Sequence, residues 1–203
     1  FKALDTAQQK MGPVHINIPF DEPLYETVNQ PILIQSVLKK ELLNTSIQIS
    51  NSTLKTWQNA KRKLVLVGVK PPNSLESSII EHLANDPSVI VLTETTSNLH
   101  HPNFFPSIDQ LIAPLKKNEF KQLQPDLLVT FGGLIVSKKV KAFLRDYKPN
   151  QHWHIDNYMA NDTYFCLNKH FKCIPNVFFK ALFKSSKSSD STYFKSWNAI
   201  KQL

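Results

Sequence analysis

Three short apolar runs constrain this chain most. They are Lys63-Leu64-Val65-Leu66-Val67-Gly68-Val69, Ser88-Val89-Ile90-Val91-Leu92-Thr93 and Asp126-Leu127-Leu128-Val129-Thr130-Phe131. Each is apolar at nearly every position, so none has a wet face, and such strands are buried on both sides. Glycine follows two of them, as Gly68 and as Gly132-Gly133. Between the first two runs, Leu75, Ile79, Ile80 and Leu83 share a helical face from Ser74 onward, and Asn85-Asp86-Pro87 ends it. Short helices are expected over 107–112 and 118–123. After the third run Ser137 caps a helix carrying Val140, Phe143 and Leu144. His152-Trp153-His154-Ile155-Asp156 reads as a fourth strand and Phe171 to Ile174 as a fifth. Alternating helices and fully buried strands call for an α/β fold, a doubly wound parallel sheet with helices on both faces.

The flanks read differently. Leu4, Ala7 and Met11 recur at helical spacing, Val14 to Ile18 alternates as a short strand, and Pro19 and Pro23 then stop regular structure. Helices are expected over 32–43 and over 52–60, the second with Ser52 as N-cap. Lys184-Ser185-Ser186-Lys187-Ser188-Ser189-Asp190-Ser191 reads as a flexible linker, and Tyr193 to Ile200 as the first helix of a following domain. The expected division is therefore 1–26 as the end of one domain with its linker, 27–183 as a central α/β domain, and 184–203 as a linker and the start of another.

Composition excludes several classes. No apolar run approaches the roughly 20 residues that span a bilayer. The opening Phe1-Lys2-Ala3-Leu4-Asp5 has neither an initiator Met nor a signal-peptide core, which fits an excised fragment or proteolytic processing, and the protein is read as cytoplasmic from its cysteine usage. Two cysteines, Cys166 and Cys173, suit neither a disulfide framework nor a zinc knuckle. Residues 1–112 hold 9 basic and 10 acidic side chains and residues 113–203 hold 15 and 6, so the net charge of +8 belongs to the second half. Arg62 and Arg145 are the only arginines among 24 basic residues. Scattered lysines without the forked guanidinium describe a solvated surface rather than a nucleic-acid interface.

With only Gly12, Gly68, Gly132 and Gly133 available, no glycine-rich nucleotide loop can be written. Ser137-Lys138-Lys139 is the leading candidate site: a helix N-terminus after a parallel strand offers N–H groups and a partial positive charge, and two lysines there suit a carboxylate. A capped helix with two solvated lysines is the plainer reading of the same residues. Ser97 and Asn98 lie beyond the C-terminal end of a strand, where open sheets bind ligands, although loop-structuring hydrogen bonds explain them too. Glu94, the one acidic residue on that loop, can act as acid or base by position alone. His100-His101 can face a neighbouring domain. His152 and His154 share a strand face as two zinc ligands do, but no third ligand is evident, so a structural role is expected.

Certain stretches are also similar to a known family. Gly12-Pro13-Val14-His15-Ile16-Asn17-Ile18-Pro19-Phe20-Asp21-Glu22-Pro23-Leu24-Tyr25 resembles the junction after the first domain of the 2-succinyl-5-enolpyruvyl-6-hydroxy-3-cyclohexene-1-carboxylate synthases, thiamine-diphosphate enzymes of menaquinone biosynthesis. Leu92-Thr93-Glu94-Thr95-Thr96-Ser97-Asn98-Leu99 and Phe131-Gly132-Gly133 with Ser137-Lys138-Lys139 are similar to two further segments. Lys139 stands where that family commonly has Arg, and supplies charge without a bidentate fork. The resemblance covers about the whole chain and implies the central domain of a three-domain enzyme working as a dimer or tetramer. It implies decarboxylation of 2-oxoglutarate on thiamine diphosphate with Mg2+ and addition of the succinyl unit to isochorismate. Both substrates are dicarboxylates, and Ser137, Lys138, Lys139 and Asn98 are the substrate-binding residues it suggests here. The family's Gly-Asp-Gly metal motif and its activating glutamate belong to the outer domains, so this fragment is expected to bind no cofactor and no metal and to be inactive alone. The alternative is a non-catalytic scaffold, or a regulatory ligand-binding domain, of another thiamine-diphosphate enzyme.

Overall fold

The computed structural model describes residues 2–10, 12–19, 45–106 and 108–201. The chain forms two compact units, 1–42 and 43–203. In the first, helix α1 spans Lys2–Lys10 and fully buries none of its side chains. The strand expected over 14–18 does not form, and Ile16 and Ile18 are 62% and 60% exposed. Alternation suits a strand, but a ladder needs a neighbour, and no described residue pairs with this segment. The helix expected over 32–43 and the boundary at 26/27 lie outside the described residues.

The second unit is built on five parallel strands, β1 (Lys63–Val67), β2 (Val89–Thr93), β3 (Leu127–Phe131), β4 (Gln151–Ile155) and β5 (Leu167–Phe171), in the order β2-β1-β3-β4-β5. Helices α2 (Asn51–Asn59), α3 (Ser77–Asn85), α4 (Ile108–Ile112), α5 (Lys117–Leu123), α6 (Lys138–Asp146), α7 (Pro175–Phe183) and α8 (Tyr193–Ile200) complete it. The apolar runs divide by parity. Val65, Val67, Val89, Val91, Val129 and Trp153 pack with Trp57, Ile79, Leu83 and Phe178 on one face. Leu64, Leu66, Ile90, Leu92 and Leu128 pack with Ile112, Leu123, Val140, Phe143 and Trp197 on the other. Period-2 geometry splits one continuous run into two cores, the reason such strands read as uniformly apolar.

Several elements differ from the sequence expectation. The α2 cap is Ser50, whose Oγ accepts from Thr53 N at 3.2 Å, and Ser52 lies inside the first turn. Helix α3 starts at Ser77, not Ser74. The fifth strand is 167–171 rather than 171–174, and Pro175 at the first turn opens α7, a helix with no counterpart in the sequence reading. The serine-rich stretch docks on the unit, as Ser189 Oγ donates to Gln58 O and Ser191 Oγ to Lys61 O, both at 2.6 Å. Helix α8 packs onto this unit, and Tyr193 and Trp197, 2% and 0% exposed, fill the second core.

Lys63 is fully buried where β1 begins. Its ammonium donates to Ser88 Oγ at 2.5 Å, and Ser88 Oγ donates to Asp86 Oδ1 at 2.5 Å, so a hydroxyl carries the lysine–carboxylate pairing. Burial pulls the Lys63 pKa down to about 8, against the raising influence of Asp86. A serine beside such a lysine is a nucleophile arrangement in outline, but Ser88 is 0% exposed and no substrate reaches it.

Candidate functional site

In the order 2-1-3-4-5 the direction of winding reverses between β1 and β3, and ligands of open sheets bind outside the strand ends at such a point. Here the loops there are laced shut. Gly68 N donates to Phe131 O at 2.9 Å and Gly133 N to Val69 O at 2.8 Å. Asn98, in the left-handed region at φ 47°, donates from Nδ2 to Lys70 O at 2.7 Å. Ser97 Oγ donates to Val67 O at 2.6 Å. Asn98 and Ser97 therefore tie the loop after β2 to the loop after β1.

Cavities open on either side of the lacing. One, of about 760 Å³, is lined by Thr93–Thr96, His100, Asp109, Gln110 and the stretch Val136 to Lys139, among others. Ser137 caps α6 as expected, its Oγ accepting from Val140 N at 3.0 Å and donating to the Asp109 carboxylate. Glu94 does what sequence reading did not foresee. Its Oε1 accepts from Ser137 N at 2.7 Å and from Val136 N at 3.0 Å, and its Oε2 accepts from Val136 N at 2.9 Å. A carboxylate committed to backbone donors is an anchor rather than an acid or base. The anion site expected at the α6 N-terminus is thus partly filled from within, and the cationic groups lining the cavity are Lys138 and Lys139 with His100 beside them. His101 turns away, its Nε2 lying 3.4 Å from Glu81 Oε1. Asn98 does not line this cavity. Asp109 carried no sequence signal, since only the tertiary fold brings α4 to the start of α6.

The second cavity, about 290 Å³, sits at the ends of β3 and β4 and is lined by Thr130, Lys141, His154, Asp156 and Tyr164, among others. The Thr130 hydroxyl bridges His152 Nε2 at 2.8 Å and His154 Nδ1 at 2.7 Å. His152 Nδ1 is buried without a partner. An orphaned lone pair costs less than an orphaned N–H, so His152 is the Nε2–H tautomer and donates to Thr130, which donates on to His154. His152 Nε2 and His154 Nδ1 are thus both engaged in hydrogen bonds within the fold. Desolvation drives the His152 pKa down to about 4 from 6.5, helped by neighbouring His154. The sign follows: between 6.5 and 4 the unfolded chain takes up a proton that the folded chain refuses, so stability falls as pH drops through that window. The expected loss is about 3 kcal/mol in all. Urea unfolding at pH 7 and pH 4.5 should show a clear drop for the wild type and a smaller one for His152→Phe; equal drops would contradict the assignment.

Cys166 and Cys173 are unpaired, and burial pushes both thiols up to about 11, which leaves them protonated and unreactive near neutrality. Among the described residues no group of three or more His, Cys, Asp or Glu side chains converges to hold a metal. No described helix is long and apolar enough to cross a membrane.

A five-stranded parallel sheet wrapped by helices on both faces, with two cavities at the strand ends, defines an open α/β domain. Residues 29–199 match the family model described as the middle domain of thiamine pyrophosphate, and the chain belongs to that family of middle domains. It is similar to curated proteins named 2-succinyl-5-enolpyruvyl-6-hydroxy-3-cyclohexene-1-carboxylate synthase. The protein of that name from Flavobacterium johnsoniae is 48% identical over 205 residues, covering 100% of this chain and 37% of that protein. That from Flavobacterium psychrophilum is 46% identical over 202 residues, with the same coverage of 100% and 37%. That from Christiangramia forsetii is 53% identical over 176 residues, covering 82% of this chain and 30% of that protein. The chain thus spans about a third of the length of the curated relatives it matches.

Proposed function

We propose that this chain is the central domain of a 2-succinyl-5-enolpyruvyl-6-hydroxy-3-cyclohexene-1-carboxylate synthase, and that it binds anionic substrate through Lys138 and Lys139. The whole enzyme decarboxylates 2-oxoglutarate and adds the resulting succinyl unit to isochorismate. Thiamine diphosphate with Mg2+, held by the outer domains, supplies the carbanion chemistry. The protein works as a homo-oligomer, and the isolated chain has no synthase activity. One observation carries the reading: two lysines at the start of α6 line a cavity of about 760 Å³ at the strand ends, where a dicarboxylate fits. Lys138 and Lys139 hold a substrate carboxylate by charge-assisted hydrogen bonds, and Ser137 and Asn98 shape the loops around them.

In the full-length enzyme, Lys138→Ala should raise KM for the dicarboxylate it contacts by roughly 10- to 100-fold, the value of one charge-assisted hydrogen bond of about 1.5–3 kcal/mol. Steady-state kinetics with 2-oxoglutarate and isochorismate measure it. An enzyme without 2-oxoglutarate turnover would sink the reading as a whole.

A second reading, that the domain binds a regulatory ligand, is favoured by the separate cavity of about 290 Å³. Tyr164 lines that cavity at 3% exposure, beside Lys141 and His154. Loss of effector inhibition in Lys141→Ala with catalysis intact would support it.

A further inference from the structure

We infer that Glu94 is a positioning residue for the Lys138–Lys139 site, a carboxylate that fixes the start of α6 through backbone hydrogen bonds and acts on substrate only through the lysines. The inference rests on the reading of Lys138 as a substrate contact.

Besides Glu94, the loop between β3 and α6 is held at its α6 end by the Ser137 hydroxyl on the Asp109 carboxylate and by few other contacts. Leu134 and Val136 are 71% and 68% exposed, and Ile135 at 8% is its one apolar side chain in the core. Gly133 N on Val69 O secures the β3 end. At the α6 end the backbone donors Val136 N and Ser137 N both close on the Glu94 carboxylate. Glu94 is itself anchored, because its N–H donates to Ser97 Oγ at 2.9 Å and that hydroxyl donates to Val67 O of β1 at 2.6 Å. A continuous line of hydrogen bonds therefore runs from the end of β1 through Ser97 and Glu94 to the residue preceding Lys138. The same carboxylate occupies two N–H groups just before α6 that would otherwise attract a ligand anion. Side chains whose supporting contacts are removed lose the preorganisation on which tight binding depends.

The test uses the full-length synthase and compares Glu94→Ala, Glu94→Gln, Lys138→Ala and the Glu94→Ala/Lys138→Ala double variant. Expected for Glu94→Ala is a rise in KM for the dicarboxylate substrate of about tenfold or more, with kcat changing far less. Glu94→Gln keeps one carbonyl oxygen facing the same donors and should stay within about threefold of wild type. In the Lys138→Ala background, loss of Glu94 should add less than about twofold, because its effect passes through that lysine. Should Glu94→Ala fail to fold, Glu94→Asp takes its place: it keeps the charge, shortens the reach by one methylene, and should also raise KM. An unchanged KM in whichever of these two variants folds, beside a raised KM in Lys138→Ala, overturns the positioning role and leaves the lysine contact standing. A silent Lys138→Ala overturns the lysine contact, and the positioning role with it. Full additivity of the two substitutions overturns the positioning role alone.

Discussion

Gly68→Ala is expected to lower the stability of the chain by about 3 kcal/mol and its melting temperature by roughly 6–12 °C. A methyl group at Gly68 would stand 1.8 Å from Gly133 O and 2.7 Å from Gly133 C. Both are backbone atoms, so no rotamer change relieves the contact. The loops after β1 and β3 meet there main chain to main chain, and their two cross-loop hydrogen bonds hold that spacing. Moving them apart breaks those bonds and strains Gly132, whose φ of 83° already lies where an L side chain is disfavoured. Gly12→Ala is the control, since its methyl group meets nothing closer than Lys10 O at 3.7 Å. Thermal unfolding of both variants decides the matter, and a Gly68→Ala chain as stable as wild type would mean that the lacing is not tight.

Trp197→Ala should cost about 3–5 kcal/mol, the usual consequence of emptying a large buried aromatic site. Trp197 is fully buried and meets Phe105 edge-on at 5.9 Å and Tyr193 at 6.3 Å between ring centroids. The neighbouring Tyr193 hydroxyl donates to Leu123 O at 2.8 Å, tying α8 to the end of α5. Truncation therefore leaves a void under α8 that the parallel sheet cannot close, because β2 and β1 are pinned by their own ladder. Urea unfolding measures the loss. A change below about 1 kcal/mol would mean that α8 merely rests on the unit and belongs elsewhere in a longer protein.

The sheet was legible because its signal is local. Leu64 to Val67, Val89 to Leu92 and Leu127 to Val129 are buried in every position, and no amphipathic surface element produces such runs. Ser137 was legible as a cap for the same reason, a hydroxyl three residues before the N–H it accepts. Strand β5 was not, because Leu167–Phe171 mixes apolar residues with Asn168, Lys169 and His170 and is only partly buried at the sheet edge.

What the sequence determined by itself was the α/β class, the parallel sheet and the basic pair at the start of α6, because burial on both faces and helix capping are written within a few adjacent residues. What only the tertiary structure decided was the occupancy of that helix end. Glu94 lies more than 40 residues from Val136 and Ser137, and Asp109 lies 28 residues from Ser137. No spacing rule links residues so far apart. Their meeting depends on β1 and β3 lying side by side with β2 at the edge, which brings the loop after β2 and the loop after β3 to one end of the sheet. The same long-range packing drew α8 into the second core, where buried aromatic area outweighs the serine-rich stretch that makes the preceding chain look like a linker.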